Sequence, residues 1–448
     1  MQEFYILIIG KKSWVKKDIQ KNNLRTRSLR AGRVSYNVTS SSRGRKSKVK
    51  LALLVTFLLV GSISALLFYK AHSKENKTEQ QQATSTEVKP QESSQKSNEE
   101  VSFDIAAVGD MLPHETVTKA AKTSSSYDYL SLISPELKQS FQKAPVRFCN
   151  QEAPSAPALG VRGYPAFNAP AEFPKDLSTF GCNVISLANN HLNDSGQAGI
   201  DGTVDEWSKQ KTLAISGANK TSSVQQQLQT FEVNGIKFGF VAFNEINNKA
   251  SASSYSVNML GNSSLLESQI KELKSKTDLV IVSVHWGQDG SHKILSSQSN
   301  IIKKISDLGA DLIIGSGPHV WQPYQVITKA DGTQTHVWYS LGNGLSSQVE
   351  QAQLFSGVAL MRVTKTKDSK PSLSSPRVLP TYMHYVWTNG IGLAQSQLLG
   401  RKDLQWTILP GSADLISKRN DFKTSEEEQT ANLKKYLNND LVEILNSY

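Results

Sequence analysis

Apolar residues in this chain come in short, β-branched runs that stop abruptly at a glycine or a polar residue, and between those runs they recur at the spacing of one helix face. Runs of that length bounded by turn residues read as buried strands, and the intervening stretches as amphipathic helices. The pattern predicts strands over Ser102–Asp110, Pro145–Glu152, Asn183–Ala188, Leu213–Gly217, Asp278–His285, Asp311–Gly315, Thr335–Leu341 and Val358–Thr364. Helices are predicted over Pro135–Lys143, Glu172–Phe180, Ile200–Gln210, Leu265–Lys274, Gln298–Leu308 and Glu426–Leu437. Ser264 stands where it can cap the fourth of these, and Gly181 and Gly309 close the second and fifth. Thr230–Phe243 reads as a hairpin turning on Asn234-Gly235, because both residues accept positive φ. Strands alternating with helices, the strands near-continuously apolar, indicate an α/β domain. The hairpin and the late strands add an antiparallel part, and the segment around Glu426–Leu437 reads as peripheral.

One apolar run is different in kind. Leu51–Tyr69 carries no charge over 19 residues, enough as a helix to cross the ~30 Å hydrocarbon core of a bilayer. Leu67, Phe68, Tyr69 and Lys70 stand where a signal peptide would place small residues for cleavage, so residues 51–70 are expected to be an uncleaved transmembrane helix. The net charge of +11 is uneven: residues 1–50 hold 14 Lys and Arg against 2 Asp and Glu, whereas residues 101–448 hold 31 of each sign. The basic tail 1–50 is therefore expected in the cytoplasm, and everything beyond residue 70 outside a single-pass cell-membrane anchor. The neutral remainder has no bulk attraction for nucleic acid. Residues 71–100 contain no aromatic residue and read as a disordered linker. The domain proper is expected over 101–346, with strands and a helix over 347–448 completing or flanking it.

In open α/β sheets the ligand lies off the carboxyl ends of the strands. Here those ends carry Asp110, Glu152, Asn190 with His191, His285, His319 and Asn343. Taken singly, each is an ordinary turn carboxylate or a hydrogen-bonded core histidine. Their recurrence at one position in successive strands sets them apart. Carboxylates, imidazoles and an amide oxygen suit Zn, Mn or Fe(II), and two ions about 3.5–4 Å apart would use this many donors to activate water against phosphorus. Cys149 and Cys182, at opposite ends of neighbouring parallel strands, would lie farther apart than the ~7 Å limit for a bridge. Two buried free thiols are expected.

Gly109-Asp110, Asn150-x-Glu152, Asn189-Asn190-His191 with Asp194 and Gly196, His285-Trp286-Gly287, Gly309 to Gly315, Pro318-His319-Val320 with Gln322, and Tyr339 to Asn343 resemble the CapA family. These are capsule or poly-γ-glutamate synthesis proteins, similar in turn to calcineurin-like metallophosphoesterases. The match runs in order over about residues 102 to 346. The resemblance implies a four-layer αββα sandwich with Asp110, Glu152, Asn190, His285 and His319 as ligands of one or two divalent ions (Mn, Zn or Fe). It implies that His191 is catalytic, contacting the phosphate or protonating the leaving group, and that Asp194 and Gly196 shape the turn into the next helix. Ser316-Gly317 stands where members often have two histidines, and Asp110 has no histidine two residues on, His114 lying four on; the second ion loses ligands accordingly. The implied function is synthesis, export or anchoring of an anionic capsular polymer such as poly-γ-glutamate, beside polymer synthase subunits. A metal-dependent phosphodiesterase of cell-envelope polymers and a non-catalytic scaffold are the other functions compatible with the pattern.

Overall fold

A computed structural model describes residues 100–448, apart from positions 252, 389, 393 and 395–397. The expected tail, transmembrane helix and, save Glu100, linker lie outside the described residues, among which no helix is long and apolar enough to cross a membrane.

Fourteen strands fall into two mixed sheets. In the first, β1 (Val101–Met111), β2 (Val146–Gln151), β3 (Val184–Ser186) and β4 (Ala214–Ser216) run parallel. On the other side of β1 this sheet continues antiparallel through β11 (Phe355–Lys365), β12 (Ser372–Trp387) and β13 (Arg401–Ile408), with β14 (Glu443–Ile444) beside β12. The second sheet has the order β5 (Gln229–Val233), β6 (Ile236–Asn244), β7 (Leu279–His285), β8 (Leu312–Ser316), β10 (Gln334–Leu341), β9 (Trp321–Thr328). Its centre, β6 through β10, is parallel and both flanks are antiparallel. The principal helices are α1 (Pro135–Gln142), α2 (Glu172–Phe180), α3 (Gly196–Ser208), α4 (Ser263–Lys276), α5 (Ser296–Asp307) and α6 (Glu426–Leu437).

Side-chain alternation shows how the layers stack, because successive residues of a strand face opposite sides. In β7, Leu279 and Ile281 join the core between the sheets, whereas Val280, Val282 and Val284 pack with Leu266, Ile270 and Leu273 of α4 and Ile302 and Ile305 of α5. The sheets meet at Phe103 against Phe238, with ring centroids 6.3 Å apart, and at Phe148 against Phe240, 6.2 Å apart. The outer face of the first sheet is covered by α1 and α2, where Phe141 stacks on Phe180 at 4.6 Å and Phe180 meets Trp406 of β13. The layers are helix, sheet, sheet, helix. Parity has a direct consequence for function: β7 residues in phase with Leu279 and Ile281 include His285, so the imidazole is delivered into the seam between the sheets.

Three expectations are corrected. Asn262, two residues earlier than Ser264, caps α4 by accepting the Leu265 N–H at 3.2 Å. The segment around α6 is integrated rather than peripheral: Asn439 donates to the Tyr324 carbonyl of β9, and the C-terminal Tyr448 donates to the buried Asp104 at 2.8 Å. Cys149 and Cys182 are bonded to each other, with Cα atoms 5.7 Å apart. The distance argument fails because β3 begins only at Val184 and Cys182 lies in the turn just past α2, its N–H donating back to Leu177 O at 3.0 Å. Phe148 faces the seam, so Cys149 faces the helix side, where that turn lies. Closing a loop with a sequence separation of 33 restricts the unfolded chain by about 3–4 kcal/mol. Reduction, or the pair Cys149→Ala and Cys182→Ala, is expected to lower stability by that order, read as a fall in the guanidinium midpoint.

Candidate metal centre

The end of β1 in the first sheet meets the segment just past β10 of the second backbone to backbone, and the centre forms there. The Asp110 N–H at the end of β1 donates to the Gly342 carbonyl just past β10 at 3.0 Å, and the Gly344 N–H donates to the Asp110 carbonyl at 2.9 Å. This approach requires glycine: a Cβ on Gly109 would fall 1.9 Å from Gly342 O, and Gly342 itself has φ +69°. A bulge between Ala107 and Asp110 sets Asp110 level with Asn150 of β2, which turns its carboxylate onto the seam face. Asn150 and Glu152 are in phase with Phe148, so β2 delivers both to the same seam. β7 contributes His285, and the loop after β8 contributes His319, which holds a left-handed φ of +59°, a conformation retained only where the surroundings enforce it.

Four of the sequence candidates thus converge. Asp110 Oδ2 lies 3.0 Å from His319 Nδ1, and Asp110 Oδ1 lies 3.9 Å from His285 Nδ1. Glu152 Oε1 is 3.6 Å from the Nε2 atoms of both histidines. Asp110, Glu152 and His319 offer ligand atoms all within 4.8 Å of one another, and all three are buried. Neighbours fix each group. Asn150 donates to Asp110 Oδ1 at 2.8 Å and the Gly317 N–H to Oδ2 at 3.1 Å. Ser316 Oγ meets His285 Nδ1 at 3.0 Å, and Asn343 Oδ1 meets His319 Nδ1 at 3.1 Å. The acceptors Asp110 Oδ2 and Asn343 Oδ1 hold a proton at its Nδ1 and aim the Nε2 edge of the His319 ring towards Glu152.

Glu152 decides what the cluster can hold. Both of its carboxylate oxygens are buried and neither has a hydrogen-bond partner; the same is true of Asn190 Oδ1. Buried acceptors without donors are rare and costly, and here they face a pocket lined with nitrogen and oxygen donors. That arrangement fits a divalent cation. The electrostatics agree. Burial, reinforced by the charge of Asp110, raises Glu152 well above the usual carboxylate range. Burial also pushes Asp110 up, but hydrogen bonding and charge from His319, with His285 and Asn150, leave it lowered. Burial disfavours charged His319, yet Glu152 and Asp110 bring it to about 10, while burial takes His285 down to about 4 against the pull of Asp110.

Asn190 and His191 sit on the wall of the same open pocket, whose volume is about 580 Å³. His191 Nδ1 is 2.7 Å from Asp194 Oδ2, and that oxygen also accepts the Phe167 N–H at 2.8 Å. Phe167 sets its ring against the imidazole at 4.7 Å and 81°, and the Asn248 amide lies 3.2 Å from Nδ1. Asp194 therefore orients His191 in addition to shaping a turn. Asn150, Asn248 and the pairing role of Asp194 are the functional contacts that sequence reasoning missed. Asp194, three residues after His191, was the one with a visible signal. His114 stands on the wall too, with burial taking it to about 3, and accepts a long 3.4 Å bond from the Ser347 N–H. Gly317 leaves no room for the histidine common at its position: at φ +108° its Cβ would lie 2.5 Å from Trp286 O.

A buried cluster of two acids and two imidazoles at the strand ends of an α/β sandwich defines a candidate metal-binding protein. Residues 104–348, more than half of the chain, match the family model described as bacterial capsule synthesis protein PGA_cap, and the chain belongs to that family. It is 29% identical over 176 residues to the PGA biosynthesis protein CapA of Bacillus subtilis (strain 168), covering 39% of this chain and 45% of that protein. It is 31% identical over 191 residues to the capsule biosynthesis protein CapA of Bacillus anthracis, covering 40% and 44% respectively. The chain thus spans less than half the length of the curated relatives it matches. Among solved structures it is similar to the Haemophilus influenzae NAD nucleotidase, at a TM-score of 0.40 and 12% identity over 78% of this chain and 58% of that one.

The glycine contact yields a test. Gly109→Ala is expected to separate β1 from the end of β10 and to cost about 3 kcal/mol or more, at the upper end for overpacking, measured as a drop in thermal midpoint. An unchanged midpoint would show that the junction does not hold the sheets together.

Proposed function

We propose that this protein takes part, from the outer face of the cell membrane, in the synthesis, export or anchoring of an anionic capsular polymer such as poly-γ-glutamate, through a metal-dependent site of metallophosphoesterase type that acts on a phosphoester. Family membership supports the polymer, and the uncharged Leu51–Tyr69 run behind a basic tail supports the single-pass anchor and external domain. Polymer synthase subunits in the same membrane are its partners in this reading. The observation that carries the chemistry is Glu152, whose two buried oxygens have no partner and face His285 and His319.

Asp110, Glu152 and His319 would hold the ion, with His285 and the unpartnered Asn190 Oδ1 completing its donors. Such a set suits Mn, Zn or Fe(II). A bound divalent ion supplies positive charge to a phosphate oxygen. The chain does the rest. Asp194 and Asn248 fix the His191 ring, so the imidazole can hold a proton at Nε2 for the leaving oxygen. Lys249 lies on the pocket wall and offers a further cation to an anionic ligand. Phe167, fully buried, closes one side of His191 to water.

Metal content of the purified protein and turnover of bis-p-nitrophenyl phosphate, compared with Glu152→Gln and His191→Ala, test this reading. Wild type is expected to retain at least one Mn, Zn or Fe ion per chain. Glu152→Gln should bind it at least about tenfold more weakly. His191→Ala should keep the ion and lose about 10²–10⁴-fold in turnover. Wild-type protein that neither binds an ion nor turns over the diester would overturn the proposal.

A further inference from the structure

Six large hydrophobic side chains are exposed among the described residues, and four stand at the mouth of the metal pocket or on the loop that walls it: Leu159, Val161, Tyr164 and Ile246. Tyr164 and Ile246 are 69% and 67% exposed, on two separate loops of the pocket wall. Residues 157–165, Pro-Ala-Leu-Gly-Val-Arg-Gly-Tyr-Pro, are exposed at every position except Gly163, and no acidic residue occurs from Ala153 to Ala171. The loop is built to stay out. Buried Asn168 donates from Nδ2 to the carbonyls of Ala156 (2.9 Å) and Gly160 (2.6 Å), and its backbone exchanges a pair of 2.9 Å bonds with Arg162. Its polar backbone is thus satisfied from within while its apolar side chains face solvent.

Cations flank these tips. Beside Val161, a hollow of about 280 Å³ is lined by Lys119, Lys122 and Arg162, with Glu115 its one acidic residue. On the wall of the metal pocket, Lys249 follows Ile246 by three residues. Exposed apolar tips flanked by four Lys and Arg residues, with Glu115, Glu245 and Asp289 the acids nearby, match a lipid interface, where apolar groups enter the acyl boundary, tyrosine sits at headgroup level and cations meet anionic headgroups.

We propose that this mouth is a membrane-docking face: loop 157–165 and Ile246 insert into the outer surface of an anionic bilayer while Lys119, Lys122, Arg162 and Lys249 engage its headgroups. A protein partner is the poorer fit. The tips belong to two separate loops in the wall of an open pocket, so a rigid surface resting on both would cover it, whereas a lipid surface conforms to each tip. Docking turns the pocket towards the headgroup layer, so that its ligand arrives from the membrane surface. The contact is separate from any N-terminal anchor and does not depend on the metal reading.

Both native cysteines are bonded to each other, so a single added cysteine can be labelled in the full-length protein. Val161→Cys, Ile246→Cys and Leu441→Cys each carry an environment-sensitive fluorophore, with Leu441 an exposed apolar control that lines neither hollow. The protein is reconstituted in vesicles of phosphatidylglycerol and phosphatidylcholine, part of the lipid bearing doxyl quenchers on the acyl chain. Quenching at 161 and 246 is expected to exceed that at 441 severalfold, and Lys119→Glu with Lys122→Glu should reduce the excess at least twofold. Equal quenching at the three positions would overturn the proposal. So would labels at 161 and 246 that are shielded by a co-purifying protein and untouched by lipid quenchers, which would assign the face to that protein.

Discussion

Two sheets can share a buried polar site only if their backbones meet where side chains would otherwise keep them about 10 Å apart. The absence of a side chain at Gly109 permits that meeting, with Gly342 in a left-handed turn opposite it. Every other feature of the centre depends on this contact. It fixes the end of β1, the preceding bulge aims Asp110 into the seam, and Gly344 and Asn343 on the far strand hold the Asp110 backbone and the His319 ring.

Much of this was legible because strand parity is a local property. An apolar β-branched run ending in Val-His places the imidazole on a definite face, and following the apolar runs to their carboxyl ends located Asp110 and Glu152 at the ends of strands and His319 in the loop just beyond one. Other features have no local signature. The bond between Cys149 and Cys182 depends on β3 being only three residues long and on α2 carrying Cys182 over the sheet; a spacing rule for extended strands does not apply to a helix end. Asn248 reaches His191 from a loop 57 residues away, and nothing in its neighbourhood marks it. β9, β12 and β13 lack a clean apolar run, because each mixes buried polar residues such as Gln322, Thr381, His384 and Arg401 with the core.

One of them, Arg401, supports the site from behind. Arg401 donates to the Ser347 carbonyl and to Thr116 Oγ1, and its guanidinium lies 4.7 Å from the Tyr385 ring centroid. Ser347 and Gln348 lie in the loop that begins at Asn343, and the Asn343 amide donates to Gln348 Oε1 at 2.7 Å. A buried arginine on β13 is thereby linked through one short loop to the His319 ring. Rigid support of this kind keeps a cluster of like-minded acceptors from relaxing away from one another.

The division of the ligands has one more consequence. Asp110 and Glu152 belong to the first sheet, and His285 and His319 to the second. An ion held by all four would therefore rivet the two sheets, since it could bind only when they are docked and its binding free energy would add to their adhesion. The resistance of such a domain to unfolding then tracks the free metal concentration around it.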